Sequence, residues 1–212
     1  MSNASVPTNV RNPEEALVYG QAFQRVAEQL IQAIWKLEEG LHHVVQDEMG
    51  DVVVCATNLA FALELYLKGL LALLGLDVPK VHDLHDLFSA LPQSVRSVIE
   101  DTYNIAIPDD LRRMGGRASF SVAKGPLGTP PEWEKLKALL ALPDLLVRSR
   151  DLFQSWRYLF EFREPKDGSY RFHQFDYGFL RCAAEVLRVE LMVRLDQSGE
   201  RPLPTRPTSG KC

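Results

Sequence analysis

No proline interrupts the chain between Glu14 and Val78, and within that stretch Val52 to Leu76 is almost continuously apolar. Interior proline breaks a helix, so its absence over so long a run favours long helices. Val52–Leu76 is also long enough to test as a membrane span. Asn58, Glu64 and Lys68 stand near its middle, the last two four residues apart. Each charge at a bilayer centre costs about 2.5–3.5 kcal/mol on insertion scales, and the sequence offers no second span. The run therefore reads as a helix apolar on all sides and buried at the centre of a bundle. It is expected from about Asp51 to Leu74, with Gly75 as its stop, and no membrane partner is expected.

The rest of the chain supplies helices to surround it. Asn12-Pro13-Glu14-Glu15 is a start signal: asparagine caps, proline fits the first helical position, and an early glutamate completes a capping box. Tyr19, Phe23, Val26, Leu30, Ile34, Leu37 and Leu41 then recur every three or four residues, which predicts a helix over 13–40. After Pro79, His82 to Phe88 opens a short helix with Leu84, Leu87, Phe88 and Leu91 facing inward. Pro92 starts another, with Val95, Val98 and Ile99 apolar. Further helices are expected at Glu132–Leu140, at Asp144–Phe162 and at about 173–195. The last carries Leu180, Ala184, Leu187, Leu191 and Leu195 on its apolar face. No strand is expected. The fold class is all-α, an antiparallel helical bundle with short extra helices.

A chain of 212 residues makes one domain and can bury a core without disulfides or metals. The domain is placed at 13–195, after an N-terminal extension at 1–12. The stretch 196–212, with Pro202, Pro204 and Pro207, is expected to be a disordered tail. Residues 108–131 gather Arg112, Arg113, Gly115, Gly116, Arg117, Gly125, Pro126, Gly128, Pro130 and Pro131. They are expected to form a mobile basic loop.

Net charge is -4, which excludes a strongly basic nucleic-acid coat. The first 80 residues hold 5 basic and 10 acidic side chains, and the remainder 19 and 18, so phosphate contacts are expected in the second half. Three separated cysteines, Cys55, Cys182 and Cys212, suit a reducing cytoplasm. Met1 to Pro13 lacks the apolar core of a signal peptide. There is no Gly-x-Gly-x-x-Gly, P-loop, Cys-x-x-Cys, His-Glu-x-x-His or Gly-x-Ser-x-Gly, which counts against the enzyme classes that depend on them. No cofactor is expected.

Two stretches together resemble the HEPN superfamily, small helical domains of prokaryotic defence, toxin–antitoxin and nucleotide-linked systems. The first is Ala60-Phe61-Ala62-Leu63-Glu64-Leu65-Tyr66-Leu67-Lys68-Gly69-Leu70-Leu71, followed by Val81-His82-Asp83-Leu84-His85-Asp86-Leu87-Phe88. The second is Trp156-Arg157-Tyr158-Leu159-Phe160-Glu161. The resemblance spans about Ala56 to Glu161. It implies that Glu64, Lys68, Arg157 and Tyr158 converge between core-facing helices. It also implies a homodimer, an RNA or nucleotide ligand, and a partner nucleotidyltransferase or antitoxin. One departure stands out. Catalytic members carry Arg, four to six residues, then His. Counting from Arg157, those positions hold Phe162, Arg163 and Glu164.

The candidate ligand or phosphate-binding residues are Glu64, Lys68, His82, Arg157, Tyr158, Glu161, Arg112, Arg113 and Arg117. Glu64 and Lys68 form either a ligand-facing patch with Arg157 and Glu161 or a half-buried ion pair that sets register. His82 and His85, with Asp83 and Asp86, suggest a metal site or simply a helix start where aspartate favours the positive dipole end. The arginines at 112, 113 and 117 either contact phosphate or are a solvated loop. Trp156, Tyr158, Phe160 and Phe162 either stack bases or pack in the core. The favoured function is a non-catalytic, cytoplasmic nucleotide- or RNA-associated binding and dimerisation module, with no catalytic residue assigned. The alternative is a metal-independent endoribonuclease with a non-standard base. A weaker alternative is an HD-like metal-dependent phosphohydrolase. No metal ligand set is expected, because the histidine pair lacks partners at known spacing. Elemental analysis of the purified protein is expected to find no stoichiometric transition metal. About one zinc, manganese or iron per chain, lost in His82→Ala, would favour the phosphohydrolase.

Overall fold

A computed structural model describes residues 12–38, 46–109, 111, 120–124, 141–153 and 171–199. Residues 1–11, Arg112–Arg117, the expected helix at 132–140, the Trp156–Glu161 motif and the tail from 200 lie outside the described residues. The elements run α1 Pro13–Glu38, α2 Gln46–Leu73, α3 Leu84–Ser89, α4 Gln93–Ala106, β1 Phe120–Lys124, α5 Leu142–Arg148, β2 Arg171–Phe175 and α6 Tyr177–Ser198.

The fold is the expected helical bundle around α2. That helix buries Val52, Cys55, Ala56, Leu59, Leu63, Tyr66, Leu67, Leu70 and Leu71, because α1 and α6 both pack against it. Gly50–Leu73 is long and apolar enough to cross a membrane, but most of it is buried within the protein. The helix starts five residues earlier than expected, at Gln46. It ends as expected: Gly75 adopts φ 68°, and the Gly75 and Leu76 amides donate to the carbonyls of Ala72 and Leu71, both at 3.0 Å. This is a Schellman stop, which glycine adopts without steric penalty. Cys55 is a core residue; its Sγ lies 3.5 Å from the Ala27 carbonyl. Burial pushes its thiol up to about 12, so it is chemically quiet.

At the start of α1 the Glu14 amide donates to Asn12 Oδ1 at 2.9 Å, so Asn12 caps as its residue type predicts. The buried face differs from the one its large apolar residues mark out. Tyr19 and Val26 are exposed, while Ala16, Leu17, Gln24 and Ala27 are buried, and so is Gly20. The reason is that side chains of α2 and α6 pack into the space small residues leave. A Cβ on Gly20 would sit 2.4 Å from Tyr66 Cε1. From α2, Gly69 presents the same lack of space: a Cβ there would lie 2.9 Å from that of Ala16 and 2.8 Å from Leu191 Cδ2 of α6. The polar groups trapped at this junction satisfy one another. Tyr66 donates its hydroxyl to Gln24 Oε1 at 2.8 Å. Gln24 Nε2 donates to Glu28 at 3.0 Å and to Glu185 of α6 at 3.2 Å.

Three further expectations are corrected. The segment expected as a loop over 108–131 contains β1, which pairs antiparallel with β2 from Phe120↔Phe175 to Lys124↔Arg171. Strand pairing is non-local, so a helical periodicity search over either segment alone misses it. Because β2 takes 171–175, α6 begins at Tyr177 instead of 173, and it continues to Ser198. The helix expected over 144–162 is broken: α5 ends at Arg148, and 149–151 form a turn. Among the inward residues, Leu84, Leu87, Phe88, Leu91, Val95 and Ile99 are buried, as are Leu180, Ala184, Leu187, Leu191 and Leu195 of α6. Val98 is exposed.

Replacing Gly20 by alanine is expected to destabilise the fold by about 1–3 kcal/mol, the usual result of overpacking. A thermal melt checks this. An unchanged Tm would mean that α1 and α2 separate readily at that point.

Candidate functional site

Glu64 and Lys68 stand one turn apart on α2, where an i, i+4 pair shares a helix face. Lys68 Nζ donates to Glu64 Oε1 at 2.7 Å, and the side chains are only 4% and 8% exposed. The pair is thus more deeply buried than the half-buried pair expected from the sequence. A third group completes it. The chain leaves α2 at Gly75, passes Pro79 and brings His82 back over the same turn. His82 Nδ1 lies 2.9 Å from Glu64 Oε2 and 3.1 Å from Oε1. A carboxylate only accepts, so Nδ1 carries the proton and donates it. Nε2 is then the ring nitrogen left to meet a ligand, on a side chain 45% exposed.

Aromatic packing holds the imidazole from another side. The His82 ring lies 5.5 Å from Phe153 by centroid, Phe153 lies 4.2 Å from Phe61, and Phe61 stacks on Phe23 at 5.2 Å. A row of rings therefore runs from α1 through α2 and the residues just past the 149–151 turn to His82. Together with Glu64 it fixes the ring at the edge of a cleft of about 270 Å³. The cleft is lined by Lys80, Val81, His82, Asp83, Arg150, Asp151 and Phe153.

Asp83 uses its two oxygens differently. Oδ1 accepts from the His85 and Asp86 amides at 3.0 and 3.1 Å, which caps α3. Oδ2 accepts from Arg150, at 2.9 Å from Nε and 2.8 Å from Nη2. Partial burial works to raise the Asp83 carboxyl. The Asp86 and His85 amides and the Arg150 guanidinium outweigh it and hold the group below the usual aspartate value. In return Asp83 holds the Arg150 proton more firmly. The turn that breaks the helix after Arg148 is what places Arg150 here.

Asp83, His85 and Asp86 also bring potential metal-ligand atoms within 4.8 Å of one another. The donor set fits a cation poorly. Asp83 already accepts three N–H groups and the guanidinium Nη2, and His85 Nε2 lies 3.4 Å from Ser89 Oγ. The cluster sits at the surface, with side chains 35% and 56% exposed at His85 and Asp86.

Of the residues singled out in the sequence, the structure brings together Glu64, Lys68 and His82. Arg157, Tyr158, Glu161, Arg112, Arg113 and Arg117 lie outside the described residues. The sequence reading missed Lys80 and Arg150, and it gave Asp83 only a helix start or a share in a metal site. The pairing of Glu64 with a histidine eighteen residues on carries no periodic signal, and Arg150 sits in what looked like helix interior.

With that geometry in view, the likeness to known proteins is specific to one part of the chain. Residues 42–119 match the family model described as HEPN domain. The match takes in the Glu64–Lys68 helix and the His82–Phe88 stretch, and stops short of Trp156–Glu161. No curated protein and no solved structure matches the chain.

Breaking the buried pair from one side is expected to be costly. Lys68→Met or Glu64→Leu leaves an unpaired buried charge, worth about 3–5 kcal/mol of stability. The double substitution is expected to recover most of that loss, since an apolar pair of similar volume removes both desolvation penalties. Urea unfolding of the two single variants and the double variant checks this; additive losses would show that the charges act separately. Asp83 gives a pH dependence. Its folded value is below the unfolded one, so its contribution is complete above the unfolded value of about 3.9. It fades as pH falls through the folded value. Asp83→Asn is therefore expected to lower stability slightly at neutral pH, where a half-exposed ion pair is worth little, and to match the parent in strong acid, which flattens the acid end of the stability curve.

Proposed function

We propose, from the match of residues 42–119 to the HEPN domain model, that this chain is a nucleotide- or RNA-associated binding and dimerisation module without ribonuclease activity. It would serve a prokaryotic defence or toxin–antitoxin type system in the cytoplasm, pairing with a second copy and with a nucleotidyltransferase or antitoxin. The observation that carries this reading is the Glu64–Lys68–His82 array under the cleft. Burying two charges is expensive, and here the expense fixes an imidazole at the mouth of a cleft whose rim holds Lys80 and Arg150. Imidazole, ammonium and guanidinium are the groups that meet phosphate oxygens. Arg112, Arg113, Arg117, Arg157, Tyr158 and Glu161 are proposed to extend the contact.

The lack of ribonuclease activity rests on chemistry. Cleavage through the ribose 2′-hydroxyl needs a group that moves a proton at neutral pH and a cation on the phosphate. Arg157 supplies a cation. Phe162 has no proton to move, Arg163 stays protonated, and Glu164 would be repelled by the phosphate as a carboxylate.

One observation favours the endoribonuclease as a second reading. Glu64 orients His82 as a carboxylate orients an imidazole base, with Nε2 left for a substrate proton. A single experiment separates the two. Pure protein is incubated with single-stranded RNA in EDTA beside Arg157→Ala and His82→Gln. The expected result is no cleavage, with RNA retained in a salt-sensitive way. Cleavage lost in either variant would replace the binding reading with the ribonuclease.

A further inference from the structure

We infer that the cleft between the start of α3 and the turn after α5 is a phosphate-oxyanion site with Arg150 as its clamp, and that Asp83 acts as a built-in competitor for that clamp. This rests on the reading above that the chain binds a nucleotide or RNA, and it names where and how the phosphate is held.

The cleft has the composition of an anion site offset by its own carboxylates. Lys80, His82 and Arg150 line it together with Asp83 and Asp151. The ammonium and guanidinium are therefore matched by two carboxylates, and the cleft as it stands draws anions weakly. The arginine is also engaged: its Nε and Nη2 both donate to Asp83 Oδ2. Yet the guanidinium side chain is 50% exposed, and an exposed pair of this kind is held loosely. A phosphomonoester carries more charge than the carboxylate, and a mono- or diester presents oxygens that match the guanidinium fork. It can take over the same N–H donors without any movement of the backbone. Asp83 would keep its Oδ1 bonds to the His85 and Asp86 amides, so α3 stays capped while Oδ2 is released.

His82 supplies the fixed side of the site. Glu64 and Phe153 hold its ring; with both ring nitrogens protonated, Nδ1 stays on Glu64 and an Nε2–H is presented to a phosphate oxygen at no cost in side-chain freedom. Lys80, exposed on the rim, adds a mobile ammonium. The volume of about 270 Å³ lies just under the ~300 Å³ at which clefts for whole small molecules begin. It takes a phosphate and the sugar beside it, and leaves the rest of a nucleotide or strand outside.

The two jobs of Asp83 make the inference testable, because asparagine caps a helix as well as aspartate does. Asp83→Asn keeps the cap and removes the competing charge. Affinities of the parent, Asp83→Asn and Arg150→Gln are measured by calorimetry for adenosine 5′-monophosphate and for a short single-stranded oligoribonucleotide, and thermal melts of all three are recorded. The expected result is binding tightened by roughly three- to tenfold in Asp83→Asn and weakened by roughly tenfold in Arg150→Gln, with near-parental melting at neutral pH. Tightening with the mononucleotide identifies a free nucleotide as the ligand; tightening with the oligonucleotide alone identifies a strand. If Asp83→Asn weakens binding as Arg150→Gln does, Asp83 positions the arginine and the competitor role is overturned. If the parent binds a probe and neither variant alters its affinity, the cleft is not the site, although the binding module stands. If none of the three binds either probe, both readings fall.

Discussion

A helix that is apolar on every side must be covered on every side, and the rest of the structure follows from that requirement on α2. Burying one leucine or phenylalanine is worth about 1.5–3 kcal/mol, and α2 buries a dozen apolar side chains. α1 and α6 lie against it, and α3 packs beside it. Small residues decide how close the neighbours come. Gly20 of α1, under the Tyr66 ring, and Gly69 of α2, against Ala16 and Leu191, leave no room for an added carbon. The polar groups caught there, Tyr66, Gln24, Glu28 and Glu185, are joined in one hydrogen-bonded set across three helices. Unpaired, each would cost more than it returns.

Against that background the ion pair on α2 is an exception with a purpose. A leucine and a methionine would fill the same volume with less penalty. The pair instead reaches out of the core. Glu64 spends its second oxygen on His82, so a group in the core dictates the tautomer of a ring at the surface. The same logic joins Asp83 to Arg150 one residue further on. Core, cleft wall and helix cap are linked through two carboxylates, and a ligand at the cleft would be sensed by both.

Some of this was legible in the chain. The Val52–Leu76 run with Gly75 behind it marked the central helix, and Asn12 and Asp83 marked helix starts by residue type. The Glu64/Lys68 spacing placed the two charges on one face. The face of α1 was not legible, because periodicity follows the large side chains Tyr19 and Val26, while packing selected the small ones that permit contact. Nor was the β1–β2 ribbon, whose partners lie some fifty residues apart.

The sequence by itself determined the helical class, the central helix and three residues of the candidate site, Glu64, Lys68 and His82. These depend on local signals: apolar periodicity, capping residues and the i, i+4 spacing on one helix. Only the tertiary structure decided that His82 returns to Glu64, that the helix after Leu142 breaks so that Arg150 meets Asp83, and that Phe153 backs the imidazole. Those choices depend on distances between residues far apart along the chain. They are set by how the helices pack around α2, and no window of sequence contains that information.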